Sequence, residues 1–515
     1  MKRISVSSEW LLLSGLALGK LASHFLTSTN YELHRDTYLF LALGDHLDWG
    51  YVSVPPAIAF FARLSQTLFG DSVFAIGILP ALIGALSILL VGLMVKSLGG
   101  KIWAIALAGT AFLISPAFLR SNSLFQPVSF DQFFWLLTTF LALRLLQTRN
   151  PKLWLPLGAV CGLAFLNKYA IAFLVCALLL SFLLAPDRQL LFSKYFVFGL
   201  LAGLLIVLPN LLWQMHHNWP VLAHMAELQL TQLVNVSISN FLLMQVLMNL
   251  PGLLVWLAGL AFFLFSKAGK GLRVLGYAYL AVILIFILFR GKHYYTLGIY
   301  PLLFAAGGFW IEKHFTISNR WMRPALLALM IMIALPVIPY SLPVLAHERM
   351  LAYAEKSKNY GLANALRWED GKIHPLPQDY ADMIGWEELA NVVIRTYHSL
   401  SDSEKARCVI YAENYGQAGA IKYYGKKHGL PEPASFNETF LFWAPDSVDF
   451  TTLIYVNDEI EEISYFFAEV RQVGKITNAF ARESGLPVFL CRHPRNGFFE
   501  FYREKVRELK NGFRS

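Results

Sequence analysis

Runs of Leu, Ala, Phe and Ile broken by short polar islands make up the first 345 residues, and after His347 apolar and polar positions interleave as in globular proteins. Apolar stretches lie at 10–26, 73–95, 102–118, 130–146, 153–185, 195–213, 241–266, 274–289, 296–311 and 324–343. Most suit one helix of about 20 residues, the length that crosses a hydrocarbon core. The stretch 153–185 is too long for one such helix and short for two full ones. As a hairpin, each arm has about 15 residues and rises about 22 Å, less than the core's roughly 30 Å. Its tip, Asn167, Lys168 and Tyr169, is then expected somewhat below the outer surface. The first stretch follows Lys2 and Arg3 without a clear small-residue cleavage site, so it reads as an uncleaved span. Counting the hairpin as two, the pattern predicts about eleven crossings.

Beyond Pro336, Pro339 and Pro343 the pattern changes solvent. Residues 408–412, 440–443, 453–456 and 488–491 read as short buried strands, and 386–397, 417–424 and 459–470 as helices. That alternation predicts an α/β layered domain with a partly parallel sheet. The expected organisation is a membrane domain over 1–345, with a long first outer loop at 27–72, and a soluble α/β domain over 346–515. The basic C-terminal stretch reads as a solvated tail.

Composition agrees with this division. The chain is 56% hydrophobic with a mean hydropathy of +0.49, and only 15% of its 515 residues are charged, against about a quarter in soluble domains. The net charge of +9 does not indicate nucleic acid, because much of the Lys and Arg sits in islands between apolar runs, where membrane topology accounts for it. With the hairpin counted as two, Lys96 and Lys101, Arg149 and Lys152, Arg188 and Lys194, Lys267 to Arg273, and Lys313 to Arg323 all fall on the side of Lys2 and Arg3. The loop 214–240 has no Lys or Arg. The positive-inside rule then predicts a cytoplasmic N-terminus and a periplasmic or extracellular C-terminal domain. Cys161 and Cys176 lie in apolar runs; Cys408 and Cys491 lie in strand-like runs and read as buried thiols, a bridge between them staying open.

Candidate chemistry gathers on the outer side. From Asp36 to Trp49 the apolar residues recur at roughly helical spacing, as in a helix lying in the interface. Asp36 would stand at its N-terminal end, where the dipole favours an ionised carboxylate suited to act as a base. His46 and Asp48, in the run that closes this helix, are candidate ligands for a divalent cation or simply a solvated helix end. Asp131 reads equally as a second catalytic carboxylate and as an ordinary helix-start residue. Lys168 at the submerged hairpin tip is costly unless paired or hydrated, and marks a functional position or a side chain snorkelling to the headgroups. Arg290, Lys292 and His293 also fall at an outer end, and Arg35 adjoins the candidate base. Tyr294, Tyr295 and Trp219 offer rings to a sugar or lipid, or belong to an aromatic belt. No Walker-type loop, zinc spacing or nucleophile elbow is present.

An acid after the first span, the interfacial helix, Trp49-Gly50-Tyr51 followed by Pro55-Pro56, and the outer Asp131 together resemble the bacterial GT-C glycosyltransferases related to protein O-mannosyltransferases and to lipid A aminoarabinose transferase. Further resemblance lies in Asn167-Lys168-Tyr169, Pro209-Asn210, His217-Asn218-Trp219-Pro220, Lys292-His293-Tyr294-Tyr295 and Tyr300-Pro301. In the soluble part, Asp382-Met383-Ile384-Gly385-Trp386 and Glu413-Asn414-Tyr415-Gly416 resemble the outer domain of one bacterial branch. The resemblance departs at Thr37, where many relatives carry Glu, and at Val54, where aminoarabinose transferase places a lysine.

The resemblance implies a polytopic helical GT-C fold and an inverting transferase in the inner (plasma) membrane. Its partners would be membrane lipids, an undecaprenyl- or dolichyl-phosphate sugar as donor, and an acceptor glycan, lipid or protein. Asp36 and Asp131 would be catalytic, with Arg35, Tyr51, Lys168, Tyr169, Asn218, Trp219, Arg290, Lys292, His293, Tyr294 and Tyr295 binding substrate. Cations near a departing phosphate stabilise it most where water is scarce. Glu413 to Gly416 follow a strand where α/β sheets commonly bind ligands, which suits an acceptor site or a tight turn. A multi-span transporter or flippase is the alternative function, opposed by the lack of an internal repeat or paired broken helices; a scaffold whose outer domain binds a partner is a third.

Overall fold

The computed structural model describes residues 7–315 and 320–512; Lys2 and Arg3, used above for orientation, lie outside them. Two compact units emerge. One comprises Met1–Ser28, Phe74–Leu212 and Ala226–Val344, and the other Thr29–Val73, Trp213–Met225 and Leu345–Ser515.

The first unit is helical. By length and composition, Ser8–Thr27, Val73–Ser97, Pro127–Thr148, Lys194–His216 and Lys270–Leu288 each suffice to cross a membrane. Two bent pairs, Ile171–Leu184 with Pro186–Phe192 at 117° and Ile238–Leu247 with Leu250–Phe265 at 72°, raise the number to as many as seven. The pattern predicts about eleven; among the described residues, shorter apolar helices such as Ile102–Ile114 and Met322–Ala334 lie outside this number of long ones. The stretch 153–185 forms two helices, Trp154–Asn167 and Ile171–Leu184, broken at Lys168. Close crossings need glycine: a Cβ on Gly158 would lie 1.9 Å from the Gly199 carbonyl oxygen.

The second unit is α/β. Strands β1 (Cys408–Ala412), β2 (Thr452–Val456), β3 (Phe467–Lys475) and β4 (Pro487–Pro494) form one sheet in the order β1-β2-β4-β3. β1 and β2 are parallel, with Ile410 opposite Ile454, and the other two pairs are antiparallel. The helices Trp386–His398 and Tyr415–Gly425 fall where the sequence predicts them.

Four expectations need correction. Residues 440–443 form a helical turn, not a strand; a four-residue apolar run has no periodicity to distinguish the two. Within 459–470 only Glu461–Ser464 is helical, and the chain then enters the unanticipated β3. Glu469 and Arg471 on that edge strand hid its alternation, yet charges of this kind keep an exposed edge from pairing with other chains. The C-terminal stretch is a helix, Asn496–Gly512, that buries Phe498, Tyr502 and Val506 at i, i+4, i+8 beneath its basic residues. Finally, the first-loop helix Arg35–Asp45 buries every residue from Thr37 to Gly44. It is packed between the helices Ala57–Phe69 and Tyr415–Gly425 instead of lying with one face open.

Candidate active site

The first loop is fastened to the segment 382–387 before its helix begins. Glu32 accepts hydrogen bonds from the backbone N–H groups of Gly385 (3.1 Å), Trp386 (2.8 Å) and Glu387 (3.0 Å), filling the N-terminus of the helix Trp386–His398. The Arg35 N–H donates to the Asp382 carbonyl at 3.0 Å. His34 then caps the first-loop helix, its Nδ1 accepting the Asp36 N–H at 3.2 Å.

Asp36, the second residue of that helix, keeps a side chain 34% exposed. Its Oδ1 accepts a 2.8 Å hydrogen bond from the Tyr415 hydroxyl, and the Arg35 guanidinium lies 4.7 Å from the centre of the Tyr415 ring. The Asp36 Oδ2 faces His34 Nδ1 at 3.8 Å, while His34 Nε2 stands 3.7 Å from Asp379 and 3.8 Å from Asp382. Burial alone would push the His34 pKa down, but Asp36, Asp379 and Asp382 outweigh it and raise it above the usual imidazole range. Burial raises the Asp382 carboxyl despite His34 and Arg482 beside it. Burial also drives the Tyr415 phenol well above its ordinary range, with Asp36 adding to the effect, so the phenol remains a donor.

His34, Asp379 and Asp382 are the one group among the described residues whose ligand atoms are spaced for a metal ion. They do not fit one as arranged. The His34 Nδ1 accepts a backbone hydrogen bond, so the proton of a neutral ring resides on Nε2, the nitrogen that would have to ligate. Arg482 also neutralises Asp382 at 3.3 Å. The sequence-derived pair fares no better: His46 Nε2 lies 2.6 Å from Glu432 and 2.9 Å from the Lys422 ammonium, and Asp48 Oδ1 accepts the Trp49 N–H.

The turn after the first-loop helix is a structural pin. The buried Tyr51 hydroxyl accepts the Asp48 N–H at 2.9 Å and donates to the His46 carbonyl at 3.0 Å. Gly50 lies against the Trp213 indole, where a Cβ would come within 2.3 Å of the ring. Asn218 and Trp219, exposed at φ 60° and 55°, make the turn before Pro220.

In the helical unit the structure gathers another group. Lys168 Nζ lies 5.2 Å and 4.6 Å from the centres of the Tyr294 and Tyr295 rings, a cation between two aromatic faces. Asp131 and Lys292 both act on it electrostatically, one attracting and one repelling. Lys292 donates to Gln232 at 2.5 Å, and Tyr169 donates to Asn210 at 3.2 Å. The His293 carbonyl accepts from Gln245 at 3.2 Å, and Arg290 is exposed at φ 51°.

Thus Arg35 and Asp36 meet in one unit, and Asp131, Lys168, Lys292, Tyr294 and Tyr295 in the other. Sequence reasoning missed His34, Asp379 and Asp382 around the candidate base, and the partner role of Tyr415. The two motifs containing Asp382 and Tyr415 were visible, but nothing in one sequence pairs them with residues more than 340 positions earlier. Lys20 was also missed; buried within the first span, it donates to the Phe118 carbonyl at 2.7 Å.

A family model described as dolichyl-phosphate-mannose-protein mannosyltransferase matches residues 53–213. Lipid A galacturonosyltransferase RgtD of Rhizobium johnstonii is 27% identical over 229 residues, which are 44% of this chain and 47% of that protein. The undecaprenyl phosphate-alpha-4-amino-4-deoxy-L-arabinose arabinosyl transferase of Pseudomonas aeruginosa is 28% identical over 168 residues, 31% of this chain and 30% of that one. The matches therefore span less than half the length of either curated relative. The crystal structure of ArnT from Cupriavidus metallidurans bound to undecaprenyl phosphate superposes with a TM-score of 0.64 at 16% identity, covering 94% of this chain and 98% of that one. Its apo form gives 0.60 at 15% identity, covering 93% and 97%.

Proposed function

We propose that this chain, a multi-pass membrane protein with the GT-C fold, is an inverting glycosyltransferase that takes a sugar from a polyprenyl-phosphate donor. The acceptor that fits best is a hydroxyl or phosphate of an envelope glycolipid, by similarity to relatives whose names specify lipid A and undecaprenyl phosphate. The N-terminus is cytoplasmic and the domain over 346–515 periplasmic or extracellular, as the distribution of Lys and Arg favours.

The observation that carries this is the state of Asp36. A carboxylate at a helix N-terminus, fixed at one oxygen by Tyr415 and still 34% exposed, is placed to take a proton from a substrate. The acceptor oxygen attacks the anomeric carbon as the bond from that carbon to the phosphate oxygen breaks. The acceptor proton passes to Asp36, the configuration inverts, and polyprenyl phosphate leaves carrying the electron pair. Within the helical unit, Lys168 held between Tyr294 and Tyr295, with Lys292 as second cation, suits the phosphate of a lipid-linked donor. Asp131 balances Lys168 while no donor is bound.

The test is turnover by purified protein, followed by mass spectrometry of released undecaprenyl phosphate. Donors are undecaprenyl phosphate carrying galacturonic acid or 4-amino-4-deoxy-L-arabinose, with lipid A as acceptor. Asp36→Asn should lower turnover about a hundred- to ten-thousand-fold with expression unchanged. Consumption of neither donor, together with an unchanged glycolipid profile in a strain lacking the chain, would end the proposal. Impermeant thiol labelling of cysteines placed at 36 and 168 should reach both from the outer side; reaching them from opposite sides refutes the mechanism.

A further inference from the structure

We infer that Tyr415 is a positioning residue for the Asp36 base, so that the C-terminal α/β segment completes the catalytic site; this rests on the role given to Asp36 above. The geometry is built from the sequence 413–420 upward. Asn414 caps the helix Tyr415–Gly425, its Oδ1 accepting the N–H groups of Gly416 (3.0 Å) and Gln417 (3.1 Å), and the Gln417 Oε1 accepts in return from the Asn414 N–H at 3.4 Å and from the Glu413 N–H at 3.1 Å. That capping box fixes where the helix begins, and therefore where its first side chain, Tyr415, is delivered.

Two glycines then let this helix lie on the first-loop helix. A Cβ on Gly419 would fall 2.8 Å from the Tyr38 carbonyl carbon, and one on Gly416 2.7 Å from Arg35 Cγ. The approach brings the Tyr415 hydroxyl to Asp36 Oδ1, while Arg35 covers the ring and limits its motion. A phenol bonded at one oxygen fixes the carboxylate rotamer. The groups acting on Asp36 are His34, Arg35, Tyr415 and Asp382, with Asp379 behind His34. The phenol's hydrogen bond reaches a carboxylate oxygen of Asp36 at 2.8 Å. In the reaction Tyr415 keeps its own proton, and the acceptor's proton goes to Asp36. Asn414, Tyr415, Gly416, Gln417 and Gly419 thereby acquire one joint purpose, to hold a hydrogen-bond donor against the base.

Tyr415→Phe in the full-length chain, assayed with whichever of the two donors is turned over, should lower kcat about ten- to hundredfold with the donor KM within about twofold. Added to Asp36→Asn, the substitution should cause no further loss. If Tyr415→Phe is recovered poorly folded, Gly419→Ala carries the same test, since its Cβ pushes the helix away from the Tyr38 backbone; its kcat should fall with the donor KM likewise little changed. A change confined to the donor KM in the folded variant, or a loss that multiplies with that of Asp36→Asn, overturns the inference. Wild-type turnover that Asp36→Asn abolishes and Tyr415→Phe leaves untouched ends this inference alone and leaves the function standing.

Discussion

Removing Glu32 tests how the first loop is attached. Its carboxylate serves the three N–H groups of Gly385, Trp386 and Glu387, which no turn of the helix Trp386–His398 can reach. Burial nonetheless raises its pKa, outweighing the three backbone bonds that favour the charged form. The acceptor geometry, more than the charge, is therefore the source of stabilisation. Glu32→Ala leaves three donors, two of them part-buried, without their acceptor, at about 1 kcal/mol each, so a loss of up to about 3 kcal/mol is expected. In a folding unit of this size about 1 kcal/mol moves Tm by roughly 2–4 °C, which gives a fall of about 6–12 °C. Glu32→Gln keeps one acceptor oxygen and sheds the desolvated charge, and should lose about 1 kcal/mol or less. The assay is intrinsic fluorescence during thermal unfolding in detergent micelles, with Trp386, 1% exposed beside the site, as reporter. The pH dependence has a definite sign. Because the folded pKa is raised, the Glu32 contribution is most favourable below the ordinary carboxylate range and declines as pH rises through the folded value. The Tm difference between wild type and Glu32→Gln should shrink over that window. A fall under 2 °C for Glu32→Ala, or equal falls for Ala and Gln, would refute the reasoning.

Further outcomes follow from other contacts. Gly50→Ala forces a Cβ to within 2.3 Å of the Trp213 ring and should cost about 1–3 kcal/mol, seen as a lower Tm at unchanged expression temperature. Lys168→Met removes a cation from between two aromatic rings and should raise the donor KM at least about tenfold in steady-state assays. His34 has a raised folded pKa, so its contribution is complete below the ordinary value of about 6.5 and is lost as pH rises through the folded one. Compared with His34→Asn, which retains a capping side chain, the wild-type Tm advantage should therefore fade above about pH 6.5. Cys408 and Cys491 are free and buried, and burial pushes both thiols up to about 12. N-ethylmaleimide at neutral pH should label them only after denaturation, as read by intact mass.

What the sequence discloses and what it conceals divide along a physical line. Local signals were legible: the break at Lys168 follows from a stretch too long for one helix, and Asp36 at a helix N-terminus follows from its position before an apolar, helically spaced run. The helix over 417–424 was legible from its spacing, but its start at Tyr415, fixed by the capping box of Asn414 and Gln417, was not read. Pairings across long separations were not. Asp36 looked like an exposed interfacial acid because the residues that surround it, Tyr415, Asp379 and Asp382, are specified only by the packing of two helices through Gly416 and Gly419. The same limit explains β3, whose charged alternation makes sense only beside β4, where Glu469 meets Arg492 at 3.0 Å. It also explains His46: alone it resembles a metal ligand, and beside Glu432 and Lys422 it is one corner of an ion cluster. A carboxylate in such a sequence is therefore proposed as a base less from its neighbours in the chain than from the donor that folding brings to it. In this protein that donor is a tyrosine nearly four hundred residues away.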